Sequence, residues 1–398
     1  MTKRPVATLL AVAALLAGAL IMVHDVSREA PADRLHHDAF VFDAHCDTVM
    51  RIVNDGADLG VRSDEGHIDL PRLREGGVDA QVFAMWVAPR FWPDRATARA
   101  LEMLEALEDL FRRHPDRIAL ARTARDAEAI AARGKVAAFL GLEGGHAIED
   151  SLDTLRRFHA RGVRLMTLTW MKNTNWADGS GDTPRWHGLN DLGREIVREM
   201  NRLGMVIDVS HASDETFRDV LELTTRPVLA SHSCCRALCD YHRNLDDEML
   251  RALARNGGVL ALNYFNGFLD PEVNRQVVAL WEDDHPELDA LAEQYRDDTD
   301  AHRQARRAWW RGRMARLPEV PLERLLQHID HAVEVAGIDH VGLGSDFDGV
   351  SLLPVGLRDT ADLPRITAGL RARGYRAEEI RKILGGNVLR VFREVIGE

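Results

Sequence analysis

Gly204-Met-Val-Ile-Asp-Val-Ser-His211, Pro227-Val-Leu-Ala-Ser-His232 and Gly258-Val-Leu-Ala-Leu-Asn263 follow one another along the chain. Each is a short apolar run without alternation, the pattern of a strand covered on both faces, and each ends on polar residues. Between them, 213–224 and 246–256 repeat apolar residues at the helical period. Strand, helix and strand in this order build parallel sheet.

Working outward, the same alternation covers most of the chain. Strands are expected at 39–44, 78–87, 135–142, 163–169, 205–209, 227–230, 258–263 and 340–344. Helices are expected at 96–113, 189–203, 213–224, 246–256, 321–336, 363–373 and 377–395. Eight strands alternating with helices predict an α/β fold, a closed (β/α)8 TIM-type barrel, with a doubly wound open sheet as its competitor. No repeat of solenoid or propeller period is visible. The segment 267–317 is charged, poor in strand pattern and holds Trp281, Trp309 and Trp310. It reads as a helical insertion after the seventh strand that covers the barrel mouth.

Composition narrows the function. The 398 residues are 45% hydrophobic and 29% charged, with 51 basic against 63 acidic residues and a net charge of −12. That balance excludes a general nucleic-acid binder, which needs basic surface to displace counterions. Four cysteines cannot staple a chain of this length, and the adjacent Cys234 and Cys235 cannot readily pair with each other; small buried thiols are expected. Lys3 and Arg4 precede an uncharged apolar run, 6–23, long enough for a helix of about 27 Å. Residues 1–23 therefore read as a signal peptide or membrane anchor, 24–38 as a linker and 39–398 as the barrel domain. The protein is expected to be exported, periplasmic or tethered to the membrane by that segment if it is not cleaved.

Chemistry in a barrel of this kind sits at the C-terminal ends of the strands. The first strand ends with His45 and Asp47, two residues apart and so on one side of an extended chain, with Cys46 pointing away. The third ends with Glu143, followed by Gly144 and Gly145. His211 and His232 close the fifth and sixth strands, and Asp346 follows the eighth as a candidate acid/base. Asp348, two residues on, is expected to hold a turn with Gly349. Two divalent ions fit this set: His45 and Asp47 on one, His211 and His232 on the other, Glu143 shared. Mixed nitrogen and oxygen ligation favours zinc, with manganese or cobalt as alternatives. Such a pair deprotonates water near neutral pH and polarises a carbonyl, which implies hydrolysis of an amide or ester.

With these residues in place the chain resembles the membrane dipeptidase (renal dipeptidase) family of zinc peptidases in its bacterial form, from about residue 40 to 392. The phrases that carry the resemblance are Asp43-Ala-His-Cys-Asp47, Gly141-Leu-Glu-Gly-Gly-His146, Asp208-Val-Ser-His211, Ser231-His-Ser233, Arg243-Asn244, Gly342-Leu-Gly-Ser-Asp-Phe-Asp-Gly349 and Gly386-Asn-Val-Leu-Arg-Val-Phe392. The resemblance implies a metal-dependent hydrolase barrel with a binuclear zinc centre, cleaving dipeptides, including those with a C-terminal D-residue. It implies His45, Asp47, Glu143, His211 and His232 as ligands and a hydroxide held between the metals. It also implies Asp346 as proton shuttle, Arg243 at the substrate carboxylate and a homodimer. One residue departs from the family pattern: Trp170 stands where many members have a substrate-binding histidine. That keeps a second reading open, a related amidase or lactonase acting on N-acyl amino acids. A scaffold protein with a degenerate site is disfavoured, because every expected ligand is present.

Overall fold

The computed structural model describes residues 32–398. The expected signal or anchor, 1–23, lies outside the described residues. The described residues form nine strands: β1 (Val41–Cys46), β2 (Val78–Trp86), β3 (Ile118–Leu120), β4 (Val136–Glu143), β5 (Val163–Thr167), β6 (Val206–Asp208), β7 (Leu229–Ser233), β8 (Val259–Leu262) and β9 (Val341–Leu343). Eight of them, β1-β2-β4-β5-β6-β7-β8-β9, pair in parallel in that order, and the β1–β9 and β2–β4 pairings close the ring. The open sheet is thereby excluded, since it would leave two edges unpaired. Each expected strand position holds one of these eight. The short β3 escapes notice in the sequence because three residues are too few to show a period; it pairs with Val136–Ala138 at the foot of β4.

The barrel interior below the site is filled by side chains. Phe42 stacks on Phe139 at 5.4 Å, and Phe392, from the last helix Asn387–Ile396, closes against both at 5.0 and 4.6 Å. The expected single helix 377–395 is interrupted by a π-turn over Lys382–Gly386. At that break Gly385 seats its backbone on β1, where an added Cβ would stand 2.3 Å from the Phe40 carbonyl oxygen. Outside the ring, helices bury one stripe each: Ala96–Arg113 turns Ala100, Met103, Leu104, Leu107 and Leu110 inward. Among the described residues no helix is long and apolar enough to cross a membrane. All four cysteines are buried and free.

One boundary differs from expectation. The presumed linker, 24–38, contains the helix Ala32–His37, whose Leu35 and His36 are buried. His36 reaches Thr367 Oγ1 through Nδ1 at 2.7 Å and the Gly76 carbonyl through Nε2 at 2.8 Å. Within the segment read as a linker, His36 thus docks the helix on the barrel. The insertion forms helices Asn266–Leu269, Pro271–Glu282, Pro286–Gln294 and Thr299–Met314 between β8 and β9, the seventh and eighth strands of the ring.

At the opposite end, Asp79 of β2 accepts the Val41 amide at 2.9 Å. Burial raises its pKa to about 6, against the lowering effects of that hydrogen bond and of His37. A carboxyl with a raised folded-state pKa binds more protons folded than unfolded, so stability is lost as pH rises from about 4 to about 6. Asp79→Asn keeps an acceptor and removes the charge. Denaturant melts are expected to show a gain of about 1–3 kcal/mol at pH 8 that disappears near pH 4. A gain independent of pH would count against this cause.

Candidate active site

The side chains expected at the strand ends converge at the mouth of the ring, and irregular backbone delivers most of them. Along β1, Phe42 and Ala44 belong to the inner cluster, yet Cys46 packs in the outer one. The register against β2 explains this: Asp43 pairs with Gln81 and Cys46 with Phe83, so β1 contains one extra residue before the mouth. The bulge turns His45 inward where strict alternation would turn it out. The same device recurs in β7, where Ala230 pairs with Leu260 and Ser233 with Leu262, bringing His232 inward. His211 and Asp346 sit just beyond their strands at φ of +67° and +58°, the left-handed region that non-glycine residues rarely occupy outside functional sites.

The Glu143 carboxylate is divided between two sets of imidazoles. Its Oε2 faces His45 Nε2 at 3.3 Å, and its Oε1 faces His211 Nε2 at 3.1 Å and His232 Nε2 at 3.7 Å. The two latter Nε2 atoms are 2.9 Å apart. Ligand-type atoms of His45, Glu143 and His232 gather within 4.8 Å of one another, as do those of His45, Asp47 and Asp346. His45 Nδ1 and Nε2, Asp47 Oδ1, Glu143 Oε2 and His211 Nδ1 are buried without hydrogen-bond partners. So many unpaired polar atoms in one buried place are costly unless a cation satisfies them, and the set fits a divalent metal centre.

Charge points the same way. Burial pushes the Asp47 carboxyl well above its ordinary range, and Glu143 and Asp346 push it further. Burial also raises Asp346, to about 6, with His45 opposing and Glu143 adding. His211 is lowered to about 3 by burial and by Arg243, and His232 is lowered by burial and its neighbouring imidazoles, so both are neutral, as ligands must be. His45 alone of the three rises, to about 9: burial lowers it, but Glu143, Asp346 and Asp208 together outweigh that. A proton there does for Glu143 what a metal ion would do.

Two buried carboxylates not anticipated from sequence hold the set in place. Asp208 accepts the Ser231 amide at 2.9 Å and the hydroxyls of Thr167 and Ser231 at 2.5 and 2.6 Å. Ser231 Oγ also lies 2.7 Å from His232 Nδ1. With its proton given to Asp208, that oxygen accepts from Nδ1–H, which leaves the Nε2 lone pair facing the site. Asp43 grips Ser345 in the same way, Oδ1 on the amide at 2.8 Å and Oδ2 on the hydroxyl at 2.6 Å, just before Asp346. Asn263, the last residue of an expected strand, donates Nδ2–H to Asp346 Oδ2 at 2.8 Å. The sequence signal for Asp43 and Asp208 was their place beside His45 and His211, and for Asn263 its place at the end of a strand. Gly349 completes the arrangement: an added Cβ would lie 2.3 Å from both Asp346 Oδ1 and Asp47 Oδ2. Asp348 ties loops together, accepting from Thr48 Oγ1 and the His67 amide, each at 2.7 Å.

Above this floor is a cavity of about 540 Å³. Asp47, Glu143, His211, Arg243 and Asp346 line its base, while Trp86, Trp170, Phe265, Phe268 and Trp281 form much of its wall. Trp170 meets Trp86 edge-on at 5.1 Å and lies 6.1 Å from the His211 ring. Arg243 is buried, donates to Ser233 Oγ at 3.3 Å and the His232 carbonyl at 3.2 Å, and has no carboxylate partner among the described residues. The insertion contributes Trp281, Trp310 and Met314 to the wall, so it does cover the mouth.

Comparison with known proteins agrees with this geometry. The sequence profile of the membrane dipeptidases, peptidase family M19, matches residues 29–397. The chain is similar to a solved metallopeptidase, dipeptidase AC, with 30% identity over 90% of this chain and 99% of that one and a TM-score of 0.75. It is similar to the probable dipeptidase PvdM from Pseudomonas aeruginosa, with 28% identity over 92% and 97% of the two chains and a TM-score of 0.79. A metallopeptidase from Rhodobacter sphaeroides, solved with a phosphinate mimic of the dipeptide L-Ala-D-Ala, matches at 29% identity over 90% and 99%, with a TM-score of 0.73. With a closed (β/α)8 barrel and a metal-type cluster at its mouth, this chain belongs to the membrane dipeptidase family, peptidase family M19, and is a metallodipeptidase.

Proposed function

We propose that this enzyme is a binuclear zinc dipeptidase. The observation that carries the reading is the division of Glu143, one oxygen toward His45 and the other toward His211 and His232. His45 and Asp47 would hold one ion, His211 and His232 the other, and Glu143 both; nitrogen and oxygen donors in this mixture favour zinc. When bound, the ions supply Lewis acidity to the scissile carbonyl and to water. Arg243, buried and without a carboxylate partner among the described residues, grips the C-terminal carboxylate of the substrate. Asp346 takes a proton from water and returns it to the leaving amine. Asn263 fixes its Oδ2, and the missing side chain of Gly349 leaves its Oδ1 free for that proton. The L-Ala-D-Ala mimic in the Rhodobacter sphaeroides relative supports extending the substrates to a C-terminal D-residue. Lys3, Arg4 and the apolar run 6–23 support work outside the cytoplasm.

A second reading, hydrolysis of N-acyl amino acids, is favoured by Trp170 and the aromatic wall around it. An indole provides one N–H donor and an apolar face, which suits an acyl chain better than a peptide carbonyl. Zinc-loaded protein assayed with L,L- and L,D-dipeptides beside N-acyl amino acids separates the two. Cleavage of dipeptides is expected; activity confined to the N-acyl compounds would replace the first reading with the second.

A further inference from the structure

Acidic residues outnumber basic ones, 63 to 51, yet arginines gather along one rim, around Phe91. Arg90, Arg95 and Arg99 all face the Phe91 ring, at 4.9, 5.6 and 5.5 Å from its centroid. Arg99 and Arg303 both donate to Asn54, which joins this group to the inserted helix Thr299–Met314. Arg306, three residues beyond Arg303 on that helix, lines the cavity itself. Arg99 has Glu102, and Arg303 is 3.9 Å from Asp55. Arg90, Arg95 and Arg306 have no carboxylate partner among the described residues. The Arg90 guanidinium is held below its ordinary value, first by partial burial and then by Arg99, Arg306 and Arg303.

The barrel topology says what this rim faces. Arg90 follows β2 and Arg243 follows β7. Around the ring, β1, β9 and β8 separate those strands on one side, and β4, β5 and β6 on the other. The loop that bears Arg90 therefore stands across the ring from the loop that bears Arg243, and Arg306 reaches toward Arg90 from the inserted helix while lining the same cavity as Arg243. A substrate whose leaving-group carboxylate is held at Arg243 directs its acyl side toward Arg90 and Arg306. Grouped guanidinium groups repel one another unless an anion joins them, and they bind carboxylate strongly when it does.

We propose that this rim is a subsite for a second carboxylate, carried by the substrate on the acyl side of the scissile bond. The substrate class is then a dicarboxylate: a dipeptide with Asp or Glu at its N-terminal position, or an amino acid bearing a dicarboxylic acyl group. This rests on the placement of the leaving-group carboxylate at Arg243.

The test compares isosteric pairs on zinc-loaded protein. For Glu-Leu against Gln-Leu, kcat/KM is expected to favour the acidic peptide about tenfold or more, and less at high ionic strength. In the double variant Arg90→Gln, Arg306→Gln the ratio is expected to fall to near one; melting curves check that the fold is intact. Titration calorimetry with N-succinyl-leucine against N-butyryl-leucine reads the same subsite without requiring peptide cleavage. If neither dipeptide is cleaved, the dipeptidase reading fails and calorimetry still decides the subsite. Equal treatment of each pair by the unsubstituted protein, or a preference that survives in the double variant, overturns the proposal.

Discussion

Glu143→Gln is expected to release metal and abolish hydrolysis together. Glutamine keeps the size of the side chain but replaces one oxygen by an N–H donor, which would point at either His45 or the His211–His232 pair. Both positions need a lone pair. No other described side chain lies between the two groups of imidazoles as Glu143 does, with contacts of 3.3 and 3.1 Å to His45 and His211. Metal analysis should fall below that of the unsubstituted protein by at least one ion per chain. Lewis acidity contributes several kcal/mol to hydrolysis of this kind, so activity should fall on the order of a thousandfold or more. Circular dichroism should remain native, because the hydrophobic interior below the site does not depend on Glu143. Full metal content with full activity in this variant would remove Glu143 from the centre.

Asp346→Asn separates proton transfer from metal binding. Asparagine can still meet the Asn263 amide if its carbonyl oxygen takes the Oδ2 position, so the left-handed turn at 346 should persist. It cannot carry a proton to the leaving amine. kcat is expected to drop about 10²–10⁴-fold while KM changes little, and metal content should stay near that of the parent. Loss of metal in step with activity would make Asp346 a ligand instead, which its grouping with His45 and Asp47 makes a concrete alternative. Unchanged kcat would assign the proton to another group.

The chain pattern made the barrel legible for a simple reason. Strands buried on both faces must be apolar throughout, as Val259–Leu262 is, and helices that cover them must show one apolar stripe, as Ala96–Arg113 does. The insertion was legible because three tryptophans in a charged segment require a surface to cover. β3 was not legible, since three residues carry no period. Nor was the docking of Ala32–His37, which depends on Thr367 and the Gly76 carbonyl, far along the chain.

For the site, residue type and position at strand ends pointed to His45, Asp47, Glu143, His211, His232 and Asp346. Their orientation is a different matter. In a regular strand His45 would share a face with Asp43, and His232 with Ala230, away from the inner cluster. Two bulges, each one residue long, reverse that. Asp43, Asp208 and Asn263 then fix the neighbouring serines and Asp346 through hydrogen bonds that cross from one strand to the next, β1 to β9, β6 to β7 and β8 to β9. Local sequence thus determined which elements form and which chemical groups reach the mouth, because propensity and burial act within a segment. Tertiary structure decided where those groups point, because register, bulges and cross-strand hydrogen bonds exist only between segments.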